Sequence, residues 1–523
     1  MDCALYTSGN CWGGRVYNHF VTAPMADIKP TEEQLIALTA ADAGCTLKIK
    51  AYAGAGKTST LKMLAARKVG KRGRYLAFNK QIAESAKSKF PSSVKCSTWH
   101  SLAYRQVPSW LRDKLNLPKE PPHDLVTRYG LGPLRVPSVI GKTVEISAFQ
   151  LGCMIQDGTA RFCRSAQGAP DGRHIHTSDL LDDKTAEELR AMLVPHVTRH
   201  WEECLTQSSR AGISPDVYLK VWEQSRPVIQ ADYLLCDEMQ DSDGLMLSVL
   251  RRQTHLQALV VGDPYQQIYE WRGAVNAMEY VRAEQVSLTE SFRFGPRFAL
   301  LASKVLGLLG ETTPLRGQVN INSILVENPT SRPAVDAILC RKNATAIAEL
   351  AAGLEAGHRV AVRANVKDIQ AFADGADRLI RGERAWSPTS LVLFETWKDV
   401  QEYANTFAGR DLLPIITIID EQGTAYLRSL LARISPEDEA DYVISTIHGA
   451  KGLEWDRVRV CGDFRFKQED DGCLTLTDEE KRLLYVAITR ARQLMDVSDL
   501  KQDLMQVFEM HARTKAGFKH AVA

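Results

Sequence analysis

The sequence predicts an α/β fold built on parallel sheets, because three short apolar runs each lead directly into polar residues. The runs are "TLKIKA" (46–51), "YLLC" (233–236) and "LQALVVG" (256–262). Runs of this length are typical of strands, and open α/β sheets bind ligands beyond the carboxyl ends of their strands. The first run precedes a glycine-rich turn and a run of good helix formers at 61–68. Strand, turn and helix in this order indicate a doubly wound sheet.

The composition indicates a multi-domain globular protein. The chain has 523 residues, of which 45% are hydrophobic and 24% are charged. No apolar run approaches the roughly 20 residues that a bilayer span needs, so we expect no membrane role. The net charge of +2 does not by itself indicate a nucleic-acid binder, and any basic groove must be local. The eleven cysteines are scattered without a C-x-x-C pair, which favours a reducing compartment over disulfides or a zinc site.

The stretch "AYAGAGKTSTL" (51–61) is the candidate phosphate site. It fits the pattern G-x-x-x-x-G-K-[ST], except that Ala51 stands at the first glycine position. Glycines let backbone N–H groups turn toward phosphate oxygens, a lysine adds charge, and a threonine hydroxyl can bind Mg²⁺. The alternative is a glycine-rich turn without a ligand, and the pattern favours nucleotide binding. The residues expected around the phosphates are Ala53, Gly54, Ala55, Gly56, Lys57, Thr58 and Ser59.

Acidic residues follow the second apolar run. Asp237 and Glu238 come directly after the strand predicted at 233–236. A bound triphosphate needs a metal anchor and a group that activates water. We therefore expect Asp237 to hold Mg²⁺, together with Thr58, and Glu238 to orient or deprotonate the attacking water. The alternative is a solvated acidic loop, which the preceding apolar strand makes less favourable.

Eight sequence motifs occur in the order found in UvrD/Rep-type superfamily 1 helicases. They are "AYAGAGKT" (51–58), "AFNK" (77–80), "STWHSLAY" (97–104), "CDEMQD" (236–241), "GDPYQQIYEWRGA" (262–274), "SFRFGP" (291–296), "STIHGAKGLEWD" (445–456) and "LLYVAITRAR" (483–492). Within that group, the fifth and sixth motifs and "PDVYLKVWEQSRP" (215–227) resemble the F-box DNA helicases most closely, although no F-box is recognisable ahead of them. The resemblance extends from about residue 30 to about residue 500.

This resemblance implies two RecA-like P-loop motor domains with parallel sheets. The first domain is expected at 25–104 and 229–284, with a helical insertion at 105–228. The second is expected at 285–365 and 437–510, with a reduced insertion at 366–436. About 70 residues are too few for the large regulatory insertion of bigger relatives. Residues 1–24 are expected to be a loosely ordered or misassigned extension, and residues 511–523 a frayed tail.

The resemblance also implies roles around a bound ATP and its Mg²⁺. Gln34 resembles the glutamine that reads adenine, with a helix-surface glutamine as the alternative. Gln266 resembles the residue that senses the γ-phosphate. Arg293 and Arg490 resemble arginine fingers that the second domain delivers to the phosphates. Glu454 resembles a carboxylate on the γ-phosphate and ribose side.

Residues that grip a nucleic-acid strand are expected in the remaining motifs. Aromatic rings can stack on bases, and small polar side chains can contact phosphates. For Phe78 and Tyr269, packing in the core is an equally good interpretation, whereas Trp271 beside Arg272 is a stronger candidate. The stacking candidates are Phe78, His100, Tyr269 and Trp271, the candidates for phosphate contact are Asn79, Thr98, Thr446 and His448, and Arg272 is a further nucleic-acid candidate.

The sequence therefore predicts an ATP-dependent DNA helicase or translocase that acts on single-stranded DNA and duplex junctions. The resemblance implies 3′–5′ movement and a role in repair, replication or recombination, with recombinase filaments as a further substrate. A monomer is expected, in the cytoplasm of a bacterial or viral host or in the nucleus of a eukaryote. The alternatives are a nucleotide-switched DNA-binding module without processive unwinding and an RNA helicase.

Overall fold

The structure is a computed structural model. It describes residues 29–77, 79–137, 143–177, 181–209, 211–270, 274–328, 333–363, 366–385, 391, 394–404, 412–469 and 473–521, with side chains through residue 513. The strands are β1 (Leu47–Ala51), β2 (Gly73–Ala77), β3 (Val94–Thr98), β4 (Leu134–Pro137), β5 (Thr143–Ile146), β6 (Tyr233–Cys236), β7 (Gln257–Gly262), β8 (Glu284–Leu288), β9 (Glu290–Ser291), β10 (Arg316–Gly317), β11 (Ile324–Val326), β12 (Ala337–Cys340), β13 (Val360–Arg363), β14 (Tyr442–Thr446), β15 (Trp455–Val460), β16 (Lys467–Gln468), β17 (Leu474–Thr475) and β18 (Ala491–Asp496).

The helices alternate with these strands over most of the described chain. They are α1 (Glu32–Asp42), α2 (Lys57–Arg67), α3 (Lys80–Lys87), α4 (Trp99–Tyr104), α5 (Ser109–Asp113), α6 (Pro122–Tyr129), α7 (Ala148–Cys163), α8 (Asp183–Cys204), α9 (Pro215–Gln224), α10 (Gly244–Arg251), α11 (Ala277–Tyr280), α12 (Pro296–Leu308), α13 (Asn343–Glu355), α14 (Val366–Ile380), α15 (Trp397–Ala404), α16 (Leu413–Ala432), α17 (Ile447–Ala450), α18 (Asp478–Ile488) and α19 (Lys501–Ala521). Among the helices described, none is both long and apolar enough to cross a bilayer.

The first sheet has the strand order β3-β2-β6-β7-β1-β8, and every neighbouring pair in it is parallel. Strands β6 and β7 are buried along their whole length, as continuous apolar runs in a doubly covered sheet should be. Leu47 of β1 lies opposite Leu259 of β7 and Glu284 of β8. We refer to this sheet and the helices that cover it as the first α/β unit.

The second sheet has the order β11-β18-β15-β12-β14-β13 and is also parallel throughout. With its helices it forms the second α/β unit. Each fully buried Val, Leu or Phe side chain contributes about 1.5–3 kcal/mol to stability, so the buried strands of both sheets anchor the two units. The α/β class with parallel sheets predicted from the sequence is confirmed.

One apolar cluster joins the two units. Tyr52, Ala53 and Ile268 of the first unit pack with Phe294 and Tyr485 of the second, and all five are buried. The two carboxyl-end loops of the first sheet that begin at Tyr52 and Asp263 are therefore held against the second unit. We call this contact region the seam.

Two largely helical segments interrupt the sheets. Between β3 and β6, helices α6, α7 and α8 enclose their own apolar cluster beside the antiparallel β4–β5 hairpin, whereas α5 and α9 pack into the core of the first unit. Between β13 and β14, helix α16 packs on α13, and α14 and α15 pack on α16, with Leu350, Phe372 and Leu427 in the shared core. Inside α16, Gly423 has a φ of +80°, which interrupts the helical backbone and marks a kink.

Candidate functional site

The glycine-rich loop lies between β1 and α2, and two of its residues must be glycine. Gly54 and Gly56 both have a φ of +75°, which side chains disfavour. A Cβ atom on Gly54 would lie 2.3 Å from Ser291 Oγ and 2.9 Å from Arg293 Cβ. Ala51, by contrast, is the last residue of β1, fully buried and paired with Leu288. The position at which the pattern has its first glycine therefore belongs to the strand and not to the turn.

The polar end of β6 meets this loop. Thr58 Oγ1 donates to Asp237 Oδ2 at 3.3 Å, and the Tyr75 hydroxyl donates to the same oxygen at 2.8 Å. Burial, and then the charge of Glu238, raise the pKa of Asp237 above its ordinary value. Within the described residues no group of three or more His, Cys, Asp or Glu side chains is placed to hold a metal. A hydroxyl and one carboxylate fit Mg²⁺, which keeps several waters and takes its other ligands from phosphates.

Glu238 has a strained backbone beside the loop. Its φ is +52°, a conformation that non-glycine residues adopt rarely and mostly at functional sites. Glu238 Oε2 lies 3.5 Å from Lys57 Nζ and accepts a hydrogen bond from Gln240 Nε2 at 2.6 Å. Burial would raise the pKa of Glu238, but the charges of Lys57 and Lys451 outweigh it, so the pKa lies below its ordinary value. The carboxylate is therefore ionised and held toward the loop.

The end of β7 supplies a second polar group at the seam. Gln266 Nε2 donates to Asp263 Oδ2 at 2.8 Å, and both residues are buried. The same oxygen accepts a hydrogen bond from the Tyr485 hydroxyl at 3.1 Å, and that hydroxyl accepts one from the backbone N–H of Ala53, also at 3.1 Å. A single phenol of the second unit thus connects the glycine loop to the end of β7.

Both predicted arginine fingers lie at the seam. Arg490 is buried, and its Nη2 donates to Gln266 Oε1 at 3.4 Å. Burial, and then the charge of Arg293, lower the pKa of Arg490 to about 9, which still leaves it cationic at neutral pH. Arg293 Nε donates to Glu454 Oε2 at 2.6 Å and Nη1 to the backbone oxygen of Thr489 at 2.7 Å. Arg293 also lies beside the glycine loop, since a Cβ atom on Gly54 would lie 2.9 Å from Arg293 Cβ.

Lys451 was not singled out from the sequence, although it stands inside the motif "GAKGLEW". Its Nζ donates to Asp241 Oδ1 at 2.6 Å and to the backbone oxygen of Gln266 at 2.5 Å. The side chains of Lys451 and Asp241 are only 8% and 3% exposed. A buried ion pair whose partners come from different units is sensitive to any relative movement, because loss of one partner leaves a buried charge.

Gln34 lies beside the loop, but hydrogen bonds occupy both ends of its amide. Its Oε1 accepts from the backbone N–H of Thr31 at 3.0 Å, as part of a capping box at the start of α1. Its Nε2 donates to Thr60 Oγ1 at 3.1 Å. The ring of Phe292, which sequence reasoning did not select, is 44% exposed and lies 3.4 Å from the position of a Cβ atom on Gly56.

Three of the predicted phosphate contacts of the nucleic-acid interface share one role: they begin helices. Asn79, Thr98 and Thr446 cap α3, α4 and α17 by accepting from the backbone N–H three residues on, at 2.9 to 3.1 Å. Thr98 lies opposite Ala77 across the β2–β3 pair, so the first two caps sit on one sheet edge.

The predicted stacking residues are partly engaged with neighbours. His100 Nε2 lies 3.5 Å from Asp216 Oδ1. The Tyr269 hydroxyl donates to the backbone oxygen of His448 at 3.3 Å, with the two ring centroids 6.2 Å apart. The predicted residues Phe78, Trp271 and Arg272 lie outside the described residues.

Comparison with known proteins identifies two matched segments and two curated relatives. The family model described as UvrD/REP helicase N-terminal domain matches residues 220–284, and the one described as UvrD-like helicase C-terminal domain matches 392–502. The chain is 29% identical over 511 residues to F-box DNA helicase protein 1 of Schizosaccharomyces pombe, covering 90% of this chain and 57% of that protein. It is 27% identical over 544 residues to F-box DNA helicase 1 of Gallus gallus, covering 95% and 52%.

The chain thus spans about half the length of these relatives. Among solved structures, an Arterivirus nonstructural protein 10 (helicase) with DNA is 11% identical with a TM-score of 0.32, covering 90% of this chain and 65% of that one. The PRRSV helicase is 13% identical with a TM-score of 0.31, covering 90% and 56%. Similarities this weak carry no argument about function. Residues 220–284 and 392–502 thus match the two UvrD-like helicase family models, and the chain is homologous to the two F-box DNA helicases.

Proposed function

We propose that the chain is an ATP-dependent motor that moves along single-stranded DNA and separates duplex junctions. The observation that carries this proposal is the seam, where Arg293 of the second unit lies beside Gly54 of the glycine loop and Arg490 donates to Gln266 beyond the end of β7. A nucleotide bound there contacts both units at once. Its binding and hydrolysis are then coupled to closing and opening of the seam.

The residues at the loop fit a triphosphate and its Mg²⁺. Backbone N–H groups of residues 53–59 and the start of α2 would face phosphate oxygens, with Lys57 adding charge. Thr58 and Asp237 would hold the metal, which neutralises phosphate charge when bound. The exposed ring of Phe292 beside Gly56 offers a face for the base. Gln34 would read adenine only by giving up its bond to Thr31 or Thr60.

Hydrolysis needs a base for the attacking water and positive charge for the transition state. Glu238 is ionised and held on the loop side, so it is our candidate for the group that takes the proton from water. Arg293 and Arg490 would stabilise charge on the transferring phosphoryl group through their planar forks. For Arg293 this requires a shift from Glu454, which lies near the ribose side in our proposal.

Gln266 is placed to couple chemistry to movement. It contacts Arg490 through its side chain and Lys451 through its backbone oxygen. Lys451 Nζ also lies 5.0 Å from the centroid of the Tyr269 ring, which is our candidate for strand contact together with His448. Loss of the γ-phosphate on hydrolysis would therefore be transmitted from Arg490 through Gln266 and Lys451 to the residues that contact the strand. Asn79, Thr98, His100 and Thr446 are proposed as further strand contacts.

DNA is the proposed polymer because both sequence relatives are named as DNA helicases. Separating one base-pair step costs about 1.4 kcal/mol in stacking, so a small push per cycle suffices. Movement from 3′ to 5′, a role in repair, replication or recombination, action on recombinase filaments and a monomeric state are proposed from the resemblance alone.

The test is phosphate release by the purified full chain with no polymer, with single-stranded DNA and with single-stranded RNA. We expect strong stimulation by DNA, followed by strand displacement from a 3′-tailed duplex and not from a 5′-tailed one. Lys57→Ala is the inactive control. Stronger stimulation by RNA would support an RNA helicase instead. Nucleotide-dependent DNA binding without hydrolysis would contradict the proposal and favour a switch module.

Replacing Gly54 with alanine is expected to weaken ATP binding by at least tenfold and to destabilise the fold. The left-handed backbone alone costs about 1–2 kcal/mol with a side chain, and the new Cβ would also collide with Ser291. Gly70→Ala is the matched control, since Gly70 has a φ of +76° and nothing within 4 Å. Nucleotide titration and chemical denaturation measure both effects. Equal ATP affinity in the two variants would contradict the role assigned to the loop.

Tyr485→Phe is expected to raise the KM for ATP and to lower the free energy of unfolding by about 1–3 kcal/mol, because two buried partners lose their hydrogen bond. Tyr233→Phe is the control, since Tyr233 is equally buried but stands at the opposite end of β6 from Asp237. Steady-state kinetics and urea unfolding distinguish the two. An unchanged KM in Tyr485→Phe would show that the phenol does not position the loop.

A further inference from the structure

A cavity of about 600 Å³ lies between the helical segment that follows β3 and the helix α10 of the first unit. Its size is in the range of ordinary ligand sites. Five arginines line it: Arg161, Arg164, Arg173, Arg251 and Arg252. They come from three separate parts of the chain. Arg161 and Arg164 lie at and just after the end of α7, Arg173 lies in the turn at 172–174, and Arg251 and Arg252 lie at and just after the end of α10. These arginines are distant in sequence, so only the folded chain brings them together around one cavity.

The charges around the cavity do not cancel. The five arginines and the nearby Lys220 face five carboxylates among the described residues, namely Asp157, Asp171, Asp216, Glu223 and Asp243, and burial raises the pKa of Asp243 to about 7. Arg251 donates to the backbone oxygen of Tyr280 at 2.9 Å, and in the described chain it has no ion-pair partner. His174 adds no charge at neutral pH, because burial lowers its pKa. The cavity therefore carries an excess of positive charge.

Several of these ion pairs are easily exchanged for an anion. The side chain of Arg173 is 72% exposed, and the carboxylate that it contacts, Asp171, is 36% exposed. Exposed pairs of this kind contribute little to stability. Arg252 shares Glu223 with Lys220, whose fully buried Nζ lies 3.1 Å from Glu223 Oε2. Glu223 therefore keeps a cationic partner if Arg252 turns toward a ligand.

The wall of the cavity is prearranged. Lys220 Nζ also donates to the backbone oxygens of Ser165 and Gln167, at 3.0 and 2.7 Å. These bonds fix residues 165–167, which form one side of the cavity. Apolar surface completes it, because Tyr280 is 52% and Val275 is 36% exposed. Arginine forks beside an exposed aromatic ring suit a ligand that combines phosphates with planar bases.

Two sides of the cavity adjoin the proposed nucleic-acid interface. Arg164 Nη2 lies 2.8 Å from Asp216 Oδ2, while Asp216 Oδ1 lies 3.5 Å from His100 Nε2. Val275 follows the motif 262–274 directly, and its backbone N–H donates to the oxygen of Ser242 at 3.1 Å. A strand held at His100 is therefore close to the cavity mouth.

We propose that this cavity is a second binding site for the phosphodiester backbone of a single-stranded nucleic acid, continuous with the strand contacts at His100. Arg173, Arg251 and Arg252 bind phosphates, and Tyr280 stacks on a base. The proposal rests on the proposed function, since it lengthens the track of the same strand. The cavity then sets how many nucleotides the protein covers.

The test compares a short and a long single-stranded oligonucleotide, the short one covering only the proposed strand contacts at His100, Tyr269 and His448. The double variant Arg173→Ala/Arg251→Ala is expected to bind the long oligonucleotide about tenfold more weakly and the short one normally. The slope of log K against log salt for the long oligonucleotide should fall by roughly 1 to 1.5, at about 0.7 for each phosphate that the protein no longer neutralises. Arg173→Lys/Arg251→Lys should restore most of the slope.

Arg135→Ala is the matched control, because Arg135 is a 78% exposed arginine on β4 in the same helical segment. Thermal unfolding checks that all variants fold, and the maximal DNA-stimulated ATPase rate should be unchanged. Equal affinity and slope for the double variant and the native protein on the long oligonucleotide would overturn the proposal. Competition by millimolar inorganic phosphate without any dependence on oligonucleotide length would also overturn it, in favour of a small-anion site. Failure of the native protein to bind any oligonucleotide would instead refute the proposed function.

Discussion

Glu238→Gln is expected to lower the rate of ATP hydrolysis by about 10²–10⁴-fold, which is the usual contribution of a positioned general base. Glutamine keeps the shape and can still accept from Gln240, but it cannot take a proton from water. ATP binding should persist, since Lys57 and the loop are unchanged. The variant should therefore accumulate the ATP-bound state.

Single-turnover hydrolysis and nucleotide affinity measure the two effects separately. Glu290→Gln is a useful control. Glu290 is also an acidic residue, but it lies on the short strand β9, and its carboxylate accepts a hydrogen bond from Gln318. A hydrolysis rate within about threefold of the native value in Glu238→Gln would refute its role as the base.

Arg293→Ala is expected to lower the rate by about 10³–10⁵-fold, as loss of an arginine finger does in other phosphoryl-transfer enzymes. Binding of ATP should weaken much less, because the guanidinium acts mainly on charge that develops in the transition state. In the present structure Arg293 is hydrogen-bonded to Glu454, so the shift toward the nucleotide is part of the expectation.

Arg492→Ala is the matched control for Arg293→Ala. Arg492 also contacts Glu454, at 3.6 Å, and it contacts Asp456 at 2.8 Å. Removing it perturbs the same carboxylate and leaves Arg293 in place. Equal losses of rate in the two variants would indicate that Glu454 alone matters and that Arg293 is not a finger.

The parts of the site that the sequence predicted depend on local patterns. The glycine loop at 54–56 and the acidic pair after β6 follow from strand, turn and helix signals within a few residues. The presence of Ala51 in place of the first pattern glycine does not affect the turn, because Ala51 is the last residue of β1. The α/β class is likewise a consequence of the apolar runs that became β1, β6 and β7.

The parts that were missed depend on contacts between distant segments. Tyr485 and Ala53 are 432 positions apart, and Lys451 and Asp241 are 210 apart. No periodicity within either segment encodes such a pair. The capping role of Gln34 is different, since "TEEQ" fits the capping-box pattern and was readable from the sequence. The roles of the site residues and the domain boundaries stay predictions.

The most direct test of the shared seam is an experimental structure of the chain with Mg²⁺ and a non-hydrolysable ATP analogue. We expect its γ-phosphate to lie between Lys57 and the two guanidinium groups, with Arg293 and Arg490 each within about 3.2 Å of a phosphate oxygen. An analogue bound at the glycine loop, while Arg293 stays on Glu454 and Arg490 stays on Gln266, would contradict the two-unit motor.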